Sequence, residues 1–244
     1  MRVFRVTAIV LSILIIAFWS GRSLYVSQSS RQLVNLLQHR QLSEARAKLN
    51  SYHDWHDVLR RIEGSKNTDL AQAALDVQFE YWYSENDDTN YPYPEQIEVI
   101  RRLLSLGARP KFDHLLRATQ QSKMESARLF LDASVPVQQQ NASDTPLANA
   151  AYWGDIDLIK RLLKHGADIN NPSAGGWRPI LAAAWTGKDD CVRYLLDNGA
   201  DVSLPYKVWE GNVQPIWKVI EERALMGSEF SNVWVIIQQR IPNR

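Results

Sequence analysis

The residues of this chain able to do chemistry are few, and they do not converge. The densest set of metal-ligand side chains is His53-Asp54-Trp55-His56-Asp57. Two histidines three apart share a helix face, but a catalytic zinc commonly has three protein ligands, and no third His or Cys stands nearby. The stretch reads as the polar start of a helix, and no metal site is expected. Ser84-Glu-Asn-Asp-Asp-Thr-Asn90 is acidic, yet a calcium loop needs a sharp Gly turn and this segment has no glycine. Cys191 is the single cysteine, so no internal disulfide and no Cys-rich zinc module can form. No GxSxG, P-loop or GxGxxG is present, so no cofactor is expected. The remaining acid–base residues are scattered, so no catalytic residue is assigned and the chain is not expected to be an enzyme. A membrane-tethered enzyme with an unrecognised site is the reading from another class.

Aromatic residues offer a different chemistry, that of contact. Tyr and Trp supply large, rigid contact area at low entropic cost. They occur as Tyr152-Trp153, as Trp177, as Trp185-Thr186, and around the acidic loop as Tyr81, Tyr83 and Tyr91. These eight residues are the candidate partner-binding set. The competing reading is that they pack against neighbouring loops.

The elements that must position them repeat. Residues 145–170 and 178–203 align without a gap at an offset of 33, with ten of 26 positions identical. In the first copy Pro146 suits the first turn of a helix running to Trp153, and Gly154 breaks it. Asp155 can cap a second helix, whose apolar stripe is Ile156, Ile159, Leu162 and Leu163. Gly166 stops it in a left-handed conformation. Such a helical hairpin is too small to bury its own core, and stacked copies bury it jointly. Cys191 aligns with Leu158 and is expected as a small core residue.

These segments resemble the ankyrin repeat family, whose pattern is T-P-L-H-x-A-A-x-x-G followed by L-L-x-x-G-A-D-x-N. The resemblance implies an all-α, ankyrin-like helical-hairpin solenoid that binds a partner protein. It also implies that Tyr152, Trp153, Trp185 and Thr186 face a concave groove, with Trp177 near the same side. Arg178 replaces the pattern's threonine, and Ala148 and Leu181 replace its histidine. Fewer hydrogen bonds between units are therefore expected. Weaker copies are read at 69–110 and 113–138, the latter with Ser122 and Ser134 in place of the two glycines, and a capping helix pair at 214–240. Residues 27–68 are read as an N-terminal helical cap.

Residues 1–26 contain Arg2, Arg5 and Arg22 and no acidic residue. The chain has 28 basic and 27 acidic side chains, so beyond residue 26 the balance is −2. No basic surface suited to nucleic acid is implied. Val6 to Val26 is mostly apolar and carries one charge, Arg22, with no good cleavage site. It is read as a single-pass signal-anchor helix crossing the membrane through residues 6–26. Its N-terminus is cytoplasmic, and the repeat domain is periplasmic or otherwise extracytoplasmic. Secretion after signal cleavage is the alternative. The expected function is non-enzymatic protein–protein interaction at a membrane, as a scaffold. The alternative is a periplasmic immunity or inhibitor protein that neutralises one toxin or enzyme.

Overall fold

The computed structural model describes residues 31–38, 55–81, 93–139, 142–207, 212–227 and 230–241. The expected anchor over residues 1–26, residues 39–54 with His53, and the acidic loop with Tyr83 and Tyr91 lie outside them. No helix among the described residues is long and apolar enough to cross a membrane. The chain divides into two compact units, Met1–Arg109 and Pro110–Arg244.

The described residues of the first unit form four helices and the turns between and after them. Helix α1 covers residues 31–38 and buries Leu33 and Leu37, one turn apart. Helix α2 (Trp55–Ser65) buries Val58, Leu59 and Ile62. Helix α3 (Thr68–Tyr81) starts under Asn67, whose Oδ1 accepts from the amides of Asp69 and Leu70. Helix α4 (Tyr93–Ser105) buries Ile97, Val99, Ile100 and Leu103. It ends at Gly107, where φ is +94° and the Ala108 amide closes back onto the Leu103 carbonyl. A side chain there would also press on Thr68 Cγ2 at 3.0 Å. The Arg102 guanidinium ties α4 to Glu63 of α2, and Gln72 of α3 accepts from the Arg109 amide at 2.7 Å.

The second unit stacks four helical hairpins. They are α5 (Phe112–Gln120) with α6 (Met124–Asp132), and α7 (Pro146–Trp153) with α8 (Ile156–Lys164). Next come α9 (Pro179–Trp185) with α10 (Asp189–Asp197), and α11 (Ile216–Met226) with α12 (Ser231–Gln238). The first helices pack in the order α5, α7, α9, α11. In the second layer α6 lies on α8 and α10 on α12. Small residues make the close approach of first helices possible: Ala150, Ala151, Ala182, Ala183 and Ala184 are all buried. Phe130 is fully buried, a contribution of roughly 1.5–3 kcal/mol from apolar transfer.

The breaks of the hairpins α7–α8 and α9–α10 share one geometry, whereas α11 ends at Gly227 in extended backbone, φ −154°. Gly154, Gly166, Gly187 and Gly199 hold φ of +86°, +90°, +65° and +96°. The amide after each closes onto a carbonyl five residues back, as Ala167 does onto Leu162 at 3.0 Å. In the divergent first hairpin Ser122 and Ser134 take the same conformation at φ +58° and +60°.

Three expectations are corrected. The first helix of the divergent copy starts two residues earlier than the gapless alignment puts it, with Lys111 as its N-cap. That puts His114 three residues after the cap, where the family pattern has its histidine. Its Nδ1 accepts from the Lys111 amide at 2.8 Å. The buried stripe of α8 is Leu158, Ile159 and Leu162, whereas Ile156 and Leu163 stay partly exposed. A helix starting at Gln214 is replaced by a two-stranded antiparallel ribbon, β1 (Pro205–Lys207) with β2 (Val213–Pro215). Gln214 precedes a proline, which disfavours helical backbone there, so α11 begins only after Pro215. Between the second and third hairpins one side chain bridges the connectors. The Asn170 amide donates to the Gly199 carbonyl at 3.1 Å and accepts from the Asp201 amide at 2.9 Å.

Candidate functional site

The first helices carry their exposed aromatics at the seventh and eighth residues after the cap. In the second hairpin the cap is Thr145, whose hydroxyl accepts from the Ala148 amide at 3.1 Å. Tyr152 and Trp153 follow, 43% and 45% exposed, their rings edge to face at 5.2 Å. In the third hairpin the cap is Arg178, which makes no capping bond, and the same positions hold Trp185 and Thr186.

The eighth-position side chain reaches back to the preceding hairpin each time. The Trp153 indole N–H donates to the Thr119 carbonyl at 3.0 Å. The Thr186 hydroxyl donates to the Tyr152 carbonyl at 2.9 Å. Arg223, eight residues after Pro215, lays its guanidinium 3.6 Å over the Trp185 ring and 4.3 Å over Phe230. These contacts serve the stack itself, so Trp153 and Trp185 carry packing as well as exposed surface.

The connector brings in Trp177. Ser173, buried, accepts from the Trp177 amide through its hydroxyl at 3.1 Å and donates its own amide to the Trp177 carbonyl at 2.8 Å. Gly176 makes the turn possible at φ +79°. Trp177 is thereby held against Trp185 at 5.2 Å and Tyr206 at 6.1 Å.

Tyr152, Trp153 and Trp177 line one open cleft of about 390 Å³, together with Asp144, Asn149 and Ser173. Trp185 backs Trp177 but does not line it. Thr186 is engaged in its bond to the Tyr152 carbonyl. Tyr81 is the last residue of α3, in the other unit. Asn149 and Asp144 are absent from the sequence-based set. Asn149 shares a helix face with Tyr152 and Trp153 by its spacing of three and four, which was a readable signal. Asp144 had none, because connector residues follow no periodicity.

The second helices carry the ion pairs. Arg128 of α6 contacts Asp155 at 2.6 Å and Asp157 at 3.0 Å, and Arg161 of α8 reaches Asp157 at 3.2 Å and Asp132 at 3.4 Å. Burial disfavours the Arg128 charge, but the bonds and charges of Asp157 and Asp155 outweigh it and hold its pKa above the ordinary value. The Arg128 hydrogen bond, the largest cause, holds the Asp157 carboxyl below the usual range. Burial pushes the Cys191 thiol up to about 11, aided by the nearby Asp155 and Asp190. A protonated, buried thiol is a poor nucleophile. No group of three His, Cys, Asp or Glu among the described residues could hold a metal ion.

Comparison with known proteins assigns the stack. A family model described as ankyrin repeats (3 copies) matches residues 115–205. Residues 115–205 carry ankyrin repeats. The matched span runs from within α5 to the start of β1 and takes in the hairpins α5–α6, α7–α8 and α9–α10. The cleft lies wholly within these ankyrin repeats. They mark the chain as carrying a protein–protein interaction module. A search of the curated proteins finds no match.

Proposed function

We propose that the chain is a non-enzymatic, membrane-tethered binding protein that captures a partner protein on the face around Tyr152, Trp153 and Trp177, with Trp185 and Thr186 continuing it. The observation that carries this reading is the exposure of Tyr152 and Trp153 beside an open cleft, within repeats built for extended rigid contact. Exposed aromatics of this size favour a partner that desolvates them. The tether is residues 6–26, with Arg2 and Arg5 on the cytoplasmic side and the repeats across the membrane. The helices α3–α4 are read as a further, divergent hairpin and α11–α12 as the cap.

A photo-crosslinking residue placed at Tyr152 in the living source cell tests the face. It should trap one protein, and the same residue at Lys164, exposed on α8, should trap none. Adducts from position 164 and none from 152 would move the surface elsewhere. The trapped protein itself separates a scaffold, joined to an envelope component, from an inhibitor, joined to a toxin or enzyme. For the tether, a reporter active only outside the cytoplasm, fused after Arg244, should be active and sediment with membranes. Activity in the soluble fraction would indicate cleavage, and an inactive but well-expressed fusion would reject the topology.

A further inference from the structure

The cleft has a charge character as well as an aromatic one. Asp144 lines it, and no lysine, arginine or histidine does. The carboxylate accepts from the Thr145 amide at 2.8 Å through one oxygen, and no basic side chain among the described residues pairs with it. Asn149 adds an amide oxygen, since its nitrogen is directed to the Thr119 hydroxyl at 3.3 Å. Three rings, a carboxylate and amide and hydroxyl oxygens thus face one space. Aromatic faces carry negative potential and attract cations, most of all where water is partly excluded.

The molecule also shows what a ring at this position takes when it is covered. Trp185 stands one repeat after Tyr152, seven residues after its cap, and the guanidinium of Arg223 lies 3.6 Å above it. Among the described residues no cation covers Tyr152: the residue that reaches it from the next hairpin is Thr186, and that hydroxyl bonds its backbone carbonyl, leaving the ring 43% exposed. In the last two hairpins an arginine closes the aromatic strip from within. One hairpin earlier the strip is left open, with a carboxylate beside it.

We infer that the cleft takes an arginine side chain presented by the partner protein, its guanidinium over the Tyr152–Trp153 rings and paired with Asp144. This rests on the docking face proposed above and names the partner's anchoring chemistry. A planar guanidinium both stacks on rings and pairs with a carboxylate, which an ammonium does less well.

The test uses the full chain in neutral detergent micelles, following indole N–H resonances while acetyl-Gly-Arg-Gly-amide is added. The control is the same peptide with citrulline, a neutral isostere of arginine. The Trp153 and Trp177 resonances should shift saturably with the arginine peptide, and citrulline should bind at least about fivefold more weakly. Asp144→Asn keeps the carbonyl that accepts from the Thr145 amide and removes only the charge. It should weaken the arginine peptide about fivefold and leave the other resonances in place. Raised salt should weaken the arginine peptide alone. Equal binding of the two peptides, an unchanged affinity in Asp144→Asn, or unmoved Trp153 and Trp177 resonances would overturn the inference. If the crosslink from position 152 forms but citrulline binds as well as arginine, the face is right and its occupant is not cationic. If arginine binds as described but no crosslink forms, the pocket stands and the docking face falls.

Discussion

At the scale of single residues, backbone handedness at the helix stops decides more than side-chain contact. A Cβ at Gly166 or Gly199 would meet nothing within 4 Å, so substitution there tests the conformation alone. Gly166→Ala and Gly199→Ala should each cost about 1–2 kcal/mol, measured by thermal or denaturant unfolding. Ser134 already bears that strain at φ +60°, so Ser134→Gly should stabilise by about 1 kcal/mol. An unchanged midpoint in Ser134→Gly would show that the serine is at ease there. Cys191 makes a second test. Its thiol rises from 9.0 to about 11 on folding, mainly through burial. The folded chain therefore holds the proton more tightly, and the associated stability is present below pH 9 and is lost as pH rises toward 11. Between those values the native chain should lose about 1–2 kcal/mol more than Cys191→Ala does. The thiol should also resist alkylation until the chain unfolds.

At the scale of elements, the caps separate one hairpin from the next. Thr145 caps α7 through its hydroxyl, whereas Arg178 heads α9 with no capping bond and with Nε and one terminal nitrogen buried without a partner among the described residues. Arg178→Thr should stabilise the stack by about 1 kcal/mol, and Thr145→Ala should cost about as much. Equal and small effects at both sites would mean that packing, not capping, sets these helix starts. The hairpins at 145–170 and 178–203 were legible in the sequence because Pro, Gly and Leu punctuate them at a fixed interval. Ser122 and Ser134 were legible for the same reason, each standing where a glycine does. The start of α5 was not: the divergent hairpin is two residues longer between its cap and its break, and a gapless alignment hides such an insertion. Nor was the β1–β2 ribbon, whose pairing joins residues on either side of a connector of irregular composition.

At the scale of the whole molecule, the aromatic positions were legible as a set but not in their separate duties. The 33-residue interval places Tyr152 and Trp185 at equivalent sites. It cannot reveal that Arg223 covers one of them, because that arginine comes from a fourth hairpin with little repeat signature. The same limit hid Asp144. The division of duties also selects the cleanest probe of function. Trp153→Ala removes the bond to the Thr119 carbonyl, and Trp185→Ala empties the space beneath Arg223, so both should lower the melting temperature as well as weaken binding. Tyr152→Ala removes an exposed ring and leaves the backbone carbonyl that Thr186 bonds. The most direct measurement is therefore the affinity of the crosslinked partner, once purified, for the native chain, for Tyr152→Ala and for Lys164→Ala. Tyr152→Ala should weaken binding at least tenfold, about 1.4 kcal/mol, with a melting temperature close to native, and Lys164→Ala should change neither. Native affinity in a folded Tyr152→Ala chain would contradict the assignment of this face.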